Sequence, residues 1–509
     1  MSHRARLFAV VSSLTLLVGN GWGAGDKQET ASAGALTAAT LTNFEKIAQI
    51  PRCSGNTEKI AAWLAQWAKA RNLSVKTDEH RNVLISIPGS PGHEKRAMVV
   101  LQAHTDMVCQ KKPSSPHDFT KDPIVFVREG DWLHARDTTL GADDGIGVAT
   151  ALAVAEAPGL SHPPLELLFT TDEETDMSGA GGLSGDFLTG RKFINLDSEE
   201  EGFVTLGGAG GVESDLRLPL KFSALEGEPL LFSLRIAGLV GGHSGLEINK
   251  NRANANVLAA FAFSETVPFR LIRFEGGTAK NAITREAEVV FALQPEQVGP
   301  FQARLGAFEK ETRSKYPNEG KLTITLMPAP TTSTQALSAS DSARLVKLVQ
   351  DIPYGVHELS TEFPGLPETS SNTGVVHTDT SAKLLFVTTF QRSFHPDKLE
   401  GITKSIEGAA ANAGASSSRS GLFPPWPPDA GTDLYKSFLT AYERLFHTPM
   451  KTEVVHAGLE CGYMAEKYPG MEIVSIGATL ENVHTTEERL NLPSIERVSQ
   501  LLTELLEKL

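Results

Sequence analysis

Apolar residues recur along this chain with two different periods. From Leu41, the positions Phe44, Ile47 and Ile50, and then Ile60, Trp63, Leu64 and Trp67, fall mostly three and four apart, which predicts amphipathic helices. Four short apolar runs follow, at 98–101, 165–169, 193–196 and 473–476, each bounded by polar or Gly-rich sequence. Runs of this length read as strands buried on both faces, as in a mostly parallel sheet. The stretch 144–156 places Val148, Leu152 and Ala155 on one helical face behind an acidic start. Strands alternating with helices predict an α/β domain, a mostly parallel sheet with helices on both faces.

Between about 212 and 410 the texture changes. Strands are expected at 230–236 and 289–293, and helices near 251–264, 298–314 and 341–351. The C-terminal strand and helix again have the texture of the first domain. The expected organisation is therefore a catalytic-type domain in two parts, 41–211 and 411–509, carrying an inserted α+β domain over 212–410. The Ser-rich stretch 413–421 reads as a turn, the Pro-rich 423–428 as the return point, and the Ala/Thr/Gly-rich 25–40 as a mobile linker. No internal repeat is evident.

Composition narrows the classes. The 509 residues are 40% hydrophobic, with 61 acidic against 47 basic side chains and a net charge of −14. That is soluble globular material for two or three folding units, and it offers no basic stripe for nucleic acid. Residues 1–24 open with Arg4 and Arg6, run through a mainly apolar stretch from Leu7 to Val18 and reach small residues at Gly21, Gly23 and Ala24. This is the pattern of a cleavable signal peptide, and the apolar stretch is too short to span a bilayer. Export to a periplasmic or secreted location is expected, with no membrane association after cleavage. Trp22 beside the cleavage point leaves an uncleaved terminus open. Cys53, Cys109 and Cys461 cannot make a disulfide framework and include no Cys-x-x-Cys pair. Each reads as a small buried apolar residue, with one disulfide left open if the compartment is oxidising.

The chemistry collects after the apolar runs. His104 and Asp106, then Asp172, Glu173 and Glu174, then Asp197, then Glu481 and His484 each follow a strand's carboxyl end, where open α/β sheets bind ligands. Asp143 can join them from the start of its helix. Carboxylates gathered in a cleft repel one another unless a cation sits among them. Two imidazoles with three carboxylates and no thiolate suit zinc, with cobalt or manganese as competitors. Five side chains exceed one open tetrahedral site, so two metals ~3.5–4 Å apart fit better. Any one of these residues alone reads as a strand-end histidine, a helix cap or a solvated acidic turn. Their joint occurrence after successive strands changes that reading.

The segments His104-Thr-Asp-Met, Gly141-Ala-Asp-Asp-Gly-Ile-Gly, Thr171-Asp-Glu-Glu, Asn195-Leu-Asp-Ser-Glu-Glu-Glu-Gly, Gly241-Gly-His-Ser-Gly and Ala457-Gly-Leu-Glu-Cys-Gly resemble the Xaa-His dipeptidases. This family, also called aminoacyl-histidine dipeptidases and including carnosine-cleaving enzymes, belongs to the dinuclear zinc exopeptidases. The likeness runs in order from roughly 41 to 509. It implies that His104 and Asp197 hold one metal, that Glu174 and His484 hold the other, and that Asp143 bridges them. Asp106 would orient His104 through its second nitrogen. Glu173 would be the general base that takes a proton from the attacking water and passes it to the leaving amine.

The inserted domain would act as a lid. The resemblance implies that His243 approaches the oxyanion, that Asn281 and Arg392 hold the substrate carbonyl and free carboxylate, and that Gly458 and Glu460 lie in a substrate loop. A turn histidine, a loop cap, a strand-edge charge and a salt bridge to the lid are the plainer readings of His243, Asn281, Arg392 and Glu460. The expected reaction is hydrolysis of dipeptides, Xaa-His or broader. An aminoacylase or tripeptidase on the same scaffold, or a metal- or peptide-binding protein without catalysis, are the alternatives. Relatives of this kind are often dimers through the lid, which makes a homodimer an expectation here. Two features depart from the family: Asp144 stands where many relatives carry asparagine, and the signal-like segment is unusual for proteins thought of as cytosolic, so a cytoplasmic location is the family-based alternative.

Overall fold

The computed structural model describes residues 24–264, 267–329 and 331–509, with side chains from Ala33 onward. The signal-peptide reading rests on residues that lie outside these. The four apolar runs form Val99–His104, Leu165–Thr170, Lys192–Asn195 and Glu472–Ser475, all in one eight-stranded mixed sheet. These four are neighbours running parallel, while the edge hairpin Ser74–Thr77 and Val83–Ile87 adds antiparallel strands.

Side chains alternate between two buried faces, as pleating requires. Val99, Leu101, Ala103, Leu167, Ile194 and Val474 enter the larger core under long helices. Val100, Leu168, Phe193 and Ile473 enter a smaller one beneath Cys461–Lys467 and Ser178–Gly182. Both faces are covered, so these strands carry no polar face and appear in sequence as mainly apolar runs, broken at Glu166.

The helix Ala142–Glu156 is buried from Ala142 to Val154, which explains its apolar composition all round. Its outer side is covered by the helix Ala24–Ile47, which also meets the C-terminal helix Leu492–Lys508. This corrects the expectation of a mobile linker over 25–40: Ala33, Leu36, Phe44 and Ile47 are buried, and burial of that face holds the segment helical despite its Thr and Gly content.

A nine-stranded antiparallel sheet forms the second layer system, with helices Ala255–Phe261, Pro295–Lys315, Ala339–Asp351 and Pro396–Asn412 over its own core. The chain leaves the central sheet after Phe203–Gly208 and enters this one at Gly210–Pro219. The Ser-rich stretch expected as a turn is instead the edge strand Ser416–Phe423, paired with Gly210–Pro219. The second sheet therefore continues beyond 410. Exposure of this strand explains its composition: serine is tolerated on an edge where nothing is buried. The outgoing and returning chains touch where Gly208 and Trp426 exchange backbone hydrogen bonds.

Candidate metal centre

His104 ends its strand, and Thr170 and Asn195 end theirs, so the residues that follow emerge at one rim of the sheet. His484 comes from the loop of the small hairpin Leu480–Glu481 and Arg489–Asn491, in a left-handed backbone conformation with φ 64°. Asp143 precedes the regular part of its helix, where the Asp143–Asp144 peptide is cis.

The rim brings all five expected ligands into one connected set. Asp143 Oδ1 lies 3.0 Å from His104 Nε2, and its Oδ2 lies 3.0 Å from His484 Nε2. His484 Nε2 is also 2.8 Å from Glu174 Oε2. Ligand atoms of His104, Asp143 and Glu174 all fall within 4.8 Å of one another. Asp197 Oδ1 stands 3.4 Å from His104 Nε2, on the His104 side only. The Asp143 carboxylate thus sits between two imidazoles, one oxygen toward each.

These groups need positive charge between them. His484 is pushed up to about 11 by its hydrogen bonds to Asp143 and Glu174. For His104, burial works against protonation, yet Asp197, Asp106 and Asp143 together raise it well above the ordinary imidazole range. Burial also opposes ionisation of Asp143, but the two imidazoles hold it down. Asp197 rises to about 8 through burial and its proximity to Asp143 and Glu460, only partly offset by His104. Glu174 Oε1 is buried with no hydrogen-bond partner among the described residues. Donor atoms 2.8–3.4 Å apart match the ~3.3 Å edge of a tetrahedron with 2.0–2.1 Å metal–ligand bonds. The donor set and its spacing fit divalent cations.

Asp106 organises this rim. Its Oδ1 lies 3.4 Å from His104 Nδ1 and accepts the Glu173 N–H at 3.1 Å, while its Oδ2 accepts the Glu174 N–H at 3.3 Å and the Ser54 hydroxyl at 2.7 Å. One buried carboxylate therefore fixes the Glu173–Glu174 backbone and lies beside the His104 ring, whose Nδ1 makes no hydrogen bond among the described residues. Burial raises the Glu173 carboxyl well above its ordinary value; His104 opposes this, and Asp197, Glu460 and Asp143 add to it. Asp144 does not face the cage through open carboxylate oxygens: they accept the N–H groups of His104 and Gly147.

The remaining expected residues divide. Glu460 is buried under the rim, accepting from Gln102 Nε2 and Thr170 Oγ1 at 2.7 Å each, and is raised to about 7 by burial. It supports the strand ends, and among the described residues it forms no salt bridge to the inserted domain. Gly458 packs so closely on Phe423 that a Cβ would come within 2.4 Å of its ring. In the inserted domain, His243 pairs with Ala282, and the Asn281 carbonyl accepts the Ser244 N–H. Asn281 itself is exposed. Arg392 is buried over Phe390, 4.6 Å from the ring centroid, with Nε unpartnered among the described residues. Gly245 lies among His243, Arg392 and the His456 carbonyl, where a Cβ would meet all three at 2.5–3.2 Å. The loop 456–460 thus runs from the side of Gly245, where Arg392 lies, to Glu460 beneath the rim.

Sequence reasoning missed Arg52, Glu488 and His456, all buried and polar. Nothing local distinguishes them, since their partners are distant in the chain. The reading of all three cysteines as small buried apolar residues holds for Cys461, a free buried thiol, and is corrected for Cys53 and Cys109, which are half-buried and form the one disulfide left open by the sequence.

The sequence profile of Peptidase family M20/M25/M40 matches residues 100–508. The chain is 38% identical over 470 residues to the cytosol non-specific dipeptidase of Escherichia coli strain K12, covering 92% of this chain and 96% of that protein. Its fold superposes on the aminoacylhistidine dipeptidase of Vibrio alginolyticus with a TM-score of 0.87 and 35% identity, covering 93% and 96% of the two chains. The aminopeptidase PepT of Bacillus cereus shares the fold at a TM-score of 0.53 and 15% identity, over 93% of this chain and 98% of that one.

Proposed function

Because the chain belongs to peptidase family M20/M25/M40, we propose that it hydrolyses the peptide bond of dipeptides with two divalent cations held by His104, Asp143, Glu174, Asp197 and His484. The observation that carries the reading is the Asp143 carboxylate placed between two imidazoles, with the half-buried Glu173 held at the same rim by Asp106. Imidazole and carboxylate donors without thiolate favour zinc over cobalt or manganese. When bound, the cations polarise the scissile carbonyl and make water acidic enough to attack near neutral pH.

Glu173 takes the proton from the attacking water and returns it to the leaving amine. Burial raises its affinity for protons, which helps the same carboxyl hold the proton it has taken until the amine receives it. Asp106 holds the Glu173 backbone beside His104, so the base does not drift from the ligands.

Residues of the inserted domain act on the substrate. Arg392 receives the free carboxylate, for which an unpartnered buried guanidinium nitrogen is suited. His243 is held down to about 4 by burial and by Arg392, so it is neutral near pH 7. Its Nδ1 accepts the Leu246 N–H at 3.3 Å, which leaves the proton on Nε2 as a donor toward the substrate carbonyl oxygen. Asn281, on the adjacent loop, supplements that contact.

No helix of the described residues is long and apolar enough to cross a membrane. Export is read from Arg4, Arg6 and the apolar stretch behind them, and the Cys53–Cys109 disulfide suits an oxidising compartment. Intact mass and thiol titration of the fractionated protein test this; a retained Met1 with three free thiols opposes it. A homodimer through the inserted domain is read from the exposed edge strand Ser416–Phe423 and tested by light scattering.

The deciding experiment is a substrate panel on chelated protein reconstituted with zinc, manganese or cobalt. Metal-restored cleavage of Xaa-His and other dipeptides supports the proposal. Cleavage restricted to tripeptides or N-acyl amino acids defeats it.

A further inference from the structure

Two buried charged side chains lie outside the ligand set and touch two of the segments that carry it, and one of the two belongs to a third. Arg52 and Glu488 are 3% and 2% exposed. The Arg52 guanidinium donates through Nη1 to the carbonyls of Thr105 and Asp106, at 3.0 and 2.9 Å, and through Nη2 to the carbonyl of Gly141. Glu488 Oε2 accepts the N–H groups of Leu140 and Gly141, at 2.8 and 3.1 Å, and its Oε1 accepts that of Ala142 at 2.8 Å.

The peptide turn that delivers Asp143 is therefore gripped from both sides, its N–H face by a carboxylate and a carbonyl by a guanidinium. Gly141 has φ +68°, which lets successive N–H groups converge on one anion. A Cβ at that position would come within 2.6 Å of Arg52 Nη2 and of Met107 Sδ. The far ends of the grip are equally placed. Arg52 holds the backbone immediately after His104, and Glu488 lies in the same short loop as His484, where its N–H donates to the Thr485 carbonyl at 3.2 Å.

We infer that Arg52 and Glu488 form a buried clamp, two positioning residues that hold His104, Asp143 and His484 at the mutual spacing a pair of cations requires. The inference rests on the ligand assignment proposed above. Its physical basis is rigidity. Loops after strands are ordinarily the mobile part of an α/β domain, and three ligands on three such loops bind cations tightly only if the loops are ordered beforehand. Hydrogen bonds to ionised groups are the stronger kind, and here seven join the loops through one acid and one base, the longest from the Asp143 N–H to Glu488 Oε1 at 3.5 Å.

The test is Glu488→Gln, which keeps the shape but removes one of the two acceptor oxygens. Apoprotein is titrated with zinc against a competing chelator, and the visible spectrum of the cobalt form is recorded. Glu166→Gln is the control, because Glu166 is likewise buried and accepts the N–H groups of Thr189 and Gly190, but from the opposite end of its strand. Glu488→Gln should weaken zinc binding by ~10–100-fold, the range for loss of an outer-sphere partner, and shift the cobalt spectrum. Glu166→Gln should lower the melting temperature and leave both unchanged.

Arg52→Lys keeps the charge but not the fork and should move metal affinity in the same direction, which covers the case in which Glu488→Gln does not fold. Wild-type affinity and spectrum in a folded Glu488→Gln or Arg52→Lys variant, or an equal loss in Glu166→Gln, overturns the clamp. A wild-type protein that binds no metal overturns the ligand assignment instead, and the clamp with it.

Discussion

Replacing Arg392 by methionine should remove the recognition of a free carboxyl terminus while sparing the fold. The guanidinium lies over Phe390 and is buried, and burial pulls it down to about 10. Methionine fills a similar volume without a buried charge, so stability should hold or rise. A dipeptide carboxylate gains from Arg392 a forked, charge-assisted pair of hydrogen bonds at ~1.5–3 kcal/mol each. Loss of both is about 3–6 kcal/mol, or roughly two to four powers of ten in kcat/KM at 1.4 kcal/mol per decade. The assay compares one dipeptide with its C-terminal amide in both proteins. The wild type should disfavour the amide by about that factor, and the variant should cleave both at the same low rate. An equal fall on both substrates would mean that Arg392 only supports the fold. Persistence of the discrimination in Arg392→Met would place carboxylate recognition elsewhere.

Three further outcomes test separate parts of the reading. Glu173→Gln should cut kcat by ~10²–10⁴ with metal content unchanged by elemental analysis, because the carboxylate moves a proton and does not hold the cage. Asp143→Asn should lose metal and activity together after dialysis, since each Asp143 oxygen faces a different imidazole and an amide presents only one acceptor. His456 is pushed down to about 3 by burial, with Arg392 and His243 adding to it, against an ordinary 6.5. It is therefore neutral in the fold, and the unfolded chain takes up its proton first. Its contribution leaves stability unaffected above pH 6.5 and lowers it as pH falls from 6.5 toward 3, by at most roughly 5 kcal/mol. His456→Gln should flatten that part of the curve in urea unfolding from pH 7 to 4, and an unchanged slope counts against it.

Much of the architecture was legible in the chain because burial on both faces of a sheet writes itself as apolar runs. The runs at 98–101, 165–169, 193–196 and 473–476 became neighbouring parallel strands, and the polar residues behind them fell at one rim. Local pattern failed where a partner from elsewhere decided the outcome. Residues 25–40 have a loop's composition, yet they are helical because Ala142–Glu156 offers an apolar face to cover. The Ser-rich 413–421 reads as a turn in isolation and is a strand because Gly210–Pro219 has a free edge.

The sequence by itself determined the chemical identity of the centre: which imidazoles and carboxylates follow which strands, and hence that a hard or borderline cation must reconcile them. Only the tertiary structure decided their grouping, with Asp143 facing both histidines, Asp197 on the His104 side, and Glu460 beneath the rim. It alone brought Arg52 and Glu488 to the turn before Asp143, across separations of 89 and 347 residues at Gly141. Periodicity records which way a side chain faces within its own element. The meeting of residues from different elements is set by how those elements pack.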